Sequence, residues 1–145
     1  MDKLNQKHEK LLKALASLHK AISIFELFKK EAVSYNPHMS YEEEYRGHRD
    51  SMIQRFEYSV DLFWKYLKKY LEESLALPPI GGPKPIIREC YSTKILNENE
   101  AENALSMIDD RNLTSHVYIE EVAEKLSAKI PDYYKLIQKV TDRLV

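Results

Sequence analysis

Ile53-Gln54-Arg55-Phe56-Glu57-Tyr58-Ser59-Val60-Asp61-Leu62-Phe63-Trp64-Lys65-Tyr66-Leu67 is the stretch that decides the fold. Its large apolar residues Ile53, Phe56, Val60, Phe63 and Leu67 recur at intervals of three and four, and Tyr70 and Leu77 continue the series. That spacing puts them on one face of a helix, and a sustained repeat of this kind is the seam of helices packed side by side. It predicts a helix from about Glu42 to Leu77 within an all-α bundle. Ser40, with Glu43 three residues on, has the pattern of a capping box at its start. Followed backward, the repeat reaches Arg49 and Arg46, so guanidinium groups stand where apolar residues are expected. Either they line a polar cleft or they are solvated arginines of a first turn. Tyr58, Trp64 and Tyr66 lie beside the stripe, a placement that suits core or subunit-interface packing better than a cofactor box.

The rest of the chain reads the same way. Leu4, Leu11, Leu15, Leu18, Ile22, Phe25 and Ala32 predict a first helix from about Lys3 to Val33, ended by Pro37, which disfavours helical geometry in the residue before it. His8 and His19 have no second ligand at helical spacing and are expected on the surface. Pro78-Pro79-Ile80-Gly81-Gly82-Pro83 makes a hinge or turn and lacks the Gly-Lys-Ser/Thr of a phosphate-binding loop. A third helix is expected from about Lys84 to Lys94, with Pro85 in its first turn, contacts from Ile86, Ile87, Cys90, Tyr91 and Ile95, and Asn97 as its end. A fourth begins near Glu98. The last, Ile119 to Val145, is amphipathic, and Pro131 is expected to restart or kink it. The fold predicted is an up-and-down four-helix bundle with additional short helices, in a single domain spanning 1–145.

Composition narrows the function. The 145 residues carry a formal charge of −1, which argues against a broad nucleic-acid-binding surface, so any contact with RNA would be local. The single cysteine, Cys90, cannot form an internal disulfide, and the polar start Met1 to Lys7 does not resemble a signal peptide. No apolar run approaches the roughly 20 residues of a membrane span. A cytoplasmic protein is expected. No zinc-type Cys/His spacing and no nucleophile elbow is present, and Asp109 and Asp110, about 100° apart on a helix, do not converge on a cation. Neither a metal nor a cofactor is expected.

One short stretch gathers reactive side chains: Asp109-Asp110-Arg111-Asn112-Leu113-Thr114-Ser115-His116-Val117-Tyr118. Arg111 offers a permanent planar cation and His116 a group that titrates near neutral pH, the pair that proton transfer on a phosphodiester needs. On a regular helix Asn112 and His116 share a face, as do Arg111 and Tyr118, while Arg111 and His116 diverge by about 140°. A helix end within Leu113-Thr114-Ser115 would narrow that gap.

Three blocks in this order, Gln54 to Lys65, Ile87-Arg88-Glu89 and Asp110 to Tyr118, resemble the nucleotidyltransferase substrate-binding family of the HEPN superfamily over roughly Ser51 to the C-terminus. The resemblance implies a HEPN-like four-helix bundle that forms a homodimer and partners a minimal nucleotidyltransferase in a toxin–antitoxin-like module. It implies that Arg111 and His116 match the Arg-x4-His pair, the site of a metal-independent endoribonuclease in many members. Tyr118 matches a tyrosine that the partner modifies with AMP in some. His116 could move a proton to or from the ribose, Arg111 could hold the phosphate by two parallel bonds, and Asn112 could support either. The expected function is an endoribonuclease toxin silenced by its nucleotidyltransferase partner, with RNA or a nucleotide as substrate; the alternative is a non-catalytic substrate-binding subunit. The chain is not itself the transferase, since it lacks a Gly-Ser followed by an Asp-x-Asp metal pair.

Overall fold

The computed structural model describes residues 2–144, and Val145, the expected end of the last helix, lies outside them. Helices α1 (Asp2–Glu31), α2 (Tyr41–Ser74), α4 (Glu98–Asn112) and α5 (Glu120–Arg143) form the bundle, and the short α3 (Pro83–Ser92) packs on α2 and α4. A 3-10 turn, Leu113–His116, links α4 to α5. No strand occurs among the described residues.

The α2 repeat is the centre of the core. Ile53, Phe56, Val60, Phe63 and Leu67 are each no more than 2 % exposed, and burying each such side chain contributes roughly 1.5–3 kcal/mol. Tyr66 beside them is also buried, Trp64 and Tyr70 are half-buried, and Tyr58 is exposed. Side-chain pairings fix the helix directions. Phe28 stacks on Tyr41, Phe25 meets Tyr45, Ser17 meets Arg55 and His8 meets Tyr66, so α1 and α2 run antiparallel. Asp110 pairs with Tyr133 and Glu100 with Arg143, so α4 and α5 do too. Tyr45 reaches Glu124 and Phe56 stacks on Tyr133, which makes α2 and α5 parallel, as the up-and-down order requires. His19 is exposed beside Tyr134, whereas His8, expected on the surface, is half-buried against Tyr66.

The capping box at Ser40 and Glu43 forms. Asn97, expected to end the third helix, instead opens α4: its side chain accepts from the Glu100 N–H at 2.8 Å, and Glu100 accepts from the Asn97 N–H at 3.0 Å. Three chain reversals use left-handed residues that are not glycine: Ala32 (φ 52°), Ala76 (φ 54°) and Lys94 (φ 65°). Ala32 stops α1 short of Val33. Ala76 lets the Leu77 N–H donate back to the Leu71 carbonyl at 3.1 Å, which leaves Leu77 beyond the helix. Lys94 turns the chain so that Ile95 and Leu96 enter the core while Tyr91 stays exposed.

Pro131 does not restart the last helix, because α5 runs unbroken through it. A proline inside a helix removes one N–H and crowds the preceding turn. Here Leu126, Ile130, Tyr133, Ile137 and Val140 are buried on both sides of it, and that stripe holds the two halves as one element.

Candidate functional site at the α4–α5 corner

The reactive stretch lies where α4 ends. Asn112 is the last α-helical residue, and Thr114, buried in the following turn, donates its hydroxyl to the Arg111 carbonyl at 2.9 Å and closes the helix end. Arg111, in the last turn, suits the negative end of the helix dipole. Its guanidinium is engaged chiefly across the bundle. Nε donates to Asp61 Oδ1 at 2.8 Å and Nη2 to Asp61 Oδ2 at 2.9 Å, a two-pronged ion pair with α2. Nη2 also reaches Glu57 at 3.3 Å, and Nη1 reaches the Thr114 hydroxyl at 3.4 Å. The hydrogen bond to Asp61 raises the proton affinity of Arg111 above its ordinary value, against the opposing effect of burial. The two-pronged edge that would grip a phosphate is thus held by a carboxylate.

His116 ends the 3-10 turn and is exposed, with its ring 6.2 Å from that of Tyr118. Tyr118 is 80 % exposed, and Leu113 and Ile119 beside it are also open to solvent. Asn112 is exposed. Among the described residues, no hydrogen bond joins Arg111 to His116, and the side chains of Asn112, His116 and Tyr118 have no hydrogen-bond partner. The chain therefore brings His116 and Tyr118 together on an outward corner, with Arg111 turned inward behind them.

Asp109 and Asp110 diverge as their spacing requires. Asp109 pairs with Lys84 of α3 at 2.5 Å. Asp110 accepts from Tyr133 at 2.5 Å and Lys129 at 3.3 Å, both on α5. Burial, and then this bond, push the Tyr133 hydroxyl well above its ordinary pKa. Among the described residues, no group of three or more His, Cys, Asp or Glu gathers as a metal centre would require.

Arg46 and Arg49, the candidates for a polar cleft, have separate fates. The Arg49 side chain is 3 % exposed and donates to Glu120 at 2.8 Å, Glu124 at 3.0 Å and Asp50 at 3.0 Å. It is a buried strut between α2 and α5 rather than a lining group, because a guanidinium removed from water needs charge partners. Arg46 does border a groove of about 340 Å³, yet its contacts with Glu42 and Glu120 at 3.3 Å match its charge. Tyr45, donating to Glu124, has its hydroxyl pushed up to about 12 by burial first and by that carboxylate second.

Two residues of this site, Glu57 and Asp61, are not among the sequence candidates. Their signal was present: they stand one turn apart on α2, beside the apolar stripe rather than within it. What the sequence does not show is that a residue fifty positions later closes on them.

With this geometry in place, comparisons with known proteins supply the kinship. A solved structure from Thermus thermophilus matches at 36 % identity and TM-score 0.74, covering 92 % of this chain and 98 % of that one. A second, from Haemophilus influenzae, shares the fold at 24 % identity and TM-score 0.77, over 94 % of this chain and 98 % of its own; it is described as revealing the fold of a substrate binding domain of a nucleotidyltransferase. No match is found among curated proteins. No helix among the described residues is long and apolar enough to cross a membrane. Residues 6–145, nearly the whole chain, match the family described as nucleotidyltransferase substrate binding protein like, and the chain belongs to that family.

Proposed function

We propose that this chain is the substrate-binding subunit of a two-component nucleotidyltransferase, that it pairs with a separate minimal nucleotidyltransferase chain, and that it presents the Tyr118 hydroxyl to it. The observation that carries this reading is the 80 % exposure of Tyr118 on a corner flanked by the exposed apolar residues Leu113 and Ile119. A phenol held out on a short turn can enter another protein's active site, and apolar neighbours give that protein a surface to close on. In the transfer, the Tyr118 oxygen attacks the α-phosphate of ATP, a new O–P bond forms and pyrophosphate leaves. The phenolic proton passes to His116, whose ring lies 6.2 Å from the tyrosine ring, or to a base of the partner.

The metal-independent ribonuclease reading uses the same corner, with His116 moving a proton at the ribose and Arg111 holding the phosphate. It requires Arg111 to exchange Asp61 for the phosphate, since the two-pronged edge is occupied. A homodimer that joins two such corners would be the setting for that exchange. The geometry favours presentation over cleavage. Co-expressed with a nucleotidyltransferase chain encoded beside it, this chain should elute as a stable complex, and Leu113→Asp or Ile119→Asp should dissociate it. Elution of the wild-type chains as separate species overturns the reading. Cleavage of single-stranded RNA in EDTA, abolished by His116→Ala, would instead favour the nuclease.

A further inference from the structure

Away from the corner, the α1–α2 face carries a cation with no counter-charge. Three of the five N–H groups of Arg55 are bound by neutral acceptors: Nε donates to the Ser17 hydroxyl at 3.0 Å, and Nη1 donates to the Ser51 carbonyl at 3.2 Å and to the Ser51 hydroxyl. The pair on Nη2 has no acceptor, and no carboxylate pairs with Arg55 among the described residues. Arg46, Arg49, Arg111 and Arg143 each have an acidic partner. A half-buried guanidinium fixed by serines and left unneutralised is preorganised for an anion that arrives from solution.

The surroundings fit that anion. Arg55 and Ser17 together border three adjoining cavities along the α1–α2 groove, of about 450, 270 and 220 Å³. The 270 Å³ cavity adds Lys20 and His48, the 220 Å³ cavity adds Lys10 and Lys13, and neither is lined by a carboxylate. The carboxylates of the largest cavity, Glu57 and Asp61, are bound to Arg111. Lys10, Lys13 and Lys20 form ion pairs with no carboxylate among the described residues. Tyr58, 58 % exposed, stands at the border of two of the cavities and offers a ring face to whatever the anion is attached to.

We propose that this groove is a binding site for a phosphate group, with Arg55 as the central ligand through Nη2, Lys13 and Lys20 as flanking charges, and Tyr58 as a stacking surface for an attached aromatic ring. Neither Tyr118 nor His116 lines the groove, although its largest cavity shares Glu57 and Asp61 with the Arg111 site, and the proposal stands whether or not the presentation reading does.

The test is calorimetric titration of the intact chain at low salt with two probes, inorganic phosphate and AMP. Both should bind, and affinity should fall as salt rises. Arg55→Met should weaken binding roughly tenfold or more, the loss expected of a charged hydrogen bond. The double variant Lys13→Glu/Lys20→Glu, confined to exposed positions, should do the same without changing the melting temperature, which covers the case in which Arg55→Met folds poorly. Tighter binding of AMP than of phosphate, with the margin lost in Tyr58→Ala, identifies an organic phosphate ester as the source. Equal affinities identify the free anion. Absence of binding by both probes, or unchanged binding in the lysine double variant, overturns the site. So does a dimer that Arg55→Glu dissociates, because the groove is then a subunit interface.

Discussion

Replacing Asp61 by alanine tests the ion pair that closes the Arg111 site. The substitution removes the bonds at 2.8 and 2.9 Å and leaves the guanidinium with Glu57 at 3.3 Å and the Thr114 hydroxyl at 3.4 Å. The side chains of Arg111 and Asp61 are 26 % and 32 % exposed, so the pair lies between two limits. Surface pairs contribute about 0–1 kcal/mol, whereas breaking a buried pair costs about 3–5 kcal/mol. For this half-buried, two-pronged pair we expect Asp61→Ala to destabilise by about 2 kcal/mol, which for a chain of this size lowers the melting temperature by roughly 4–8 °C. Urea denaturation followed by circular dichroism measures it. Arg111→Ala should cost a similar amount, and the double variant should cost less than the sum by about 1 kcal/mol, since each single change strands the other partner. Additivity within about 0.3 kcal/mol would refute the argument, because the two residues would then not interact in solution.

Two further outcomes follow from the fold. Ala76→Gly should stabilise by about 0.5–1 kcal/mol, seen as a higher urea midpoint, because φ of 54° strains an alanine and costs a glycine nothing. Glu100, 4 % exposed, is bound by Arg143 at 2.7 and 2.9 Å; the Arg143 bonds chiefly, with the Asn97 N–H and Lys139 helping, hold its carboxyl down at about 2 despite burial. A carboxyl with a depressed folded-state pKa stabilises above its unfolded value of about 4.3 and loses that contribution as pH falls toward the folded value. Glu100→Gln should therefore be less stable at pH 7 and lose less stability between pH 4.3 and 2 in an acid titration of the melting temperature.

The bundle was legible because its main signal is periodic. The three-four repeat of α2 from Ile53 to Tyr70 and the stripe on α1 state which faces are buried, and the capping box at Ser40 states where α2 begins. Helix ends were less legible. Ala32, Ala76 and Lys94 adopt left-handed geometry without glycine, so no residue type announces the stops. The reactive corner was legible as chemistry, through Arg111, His116 and Tyr118; whether the helix ended within Leu113-Thr114-Ser115 was left open by the sequence, and α4 ends at Asn112. The engagement of Arg111 was not, since Asp61 is fifty residues away in sequence. Arg49 follows the same logic: its inward placement is written in the α2 repeat, but its partners Glu120 and Glu124 lie on α5, and without them a strut cannot be told from a cleft.

The most direct test of the presentation reading is mass spectrometry of this chain after incubation with its nucleotidyltransferase partner, ATP and Mg²⁺. The account predicts a mass gain in units of AMP, fragmentation that places it on Tyr118, and its loss in Tyr118→Phe. No gain, or an equal gain in Tyr118→Phe, would contradict it and leave Tyr118 a surface residue of the corner.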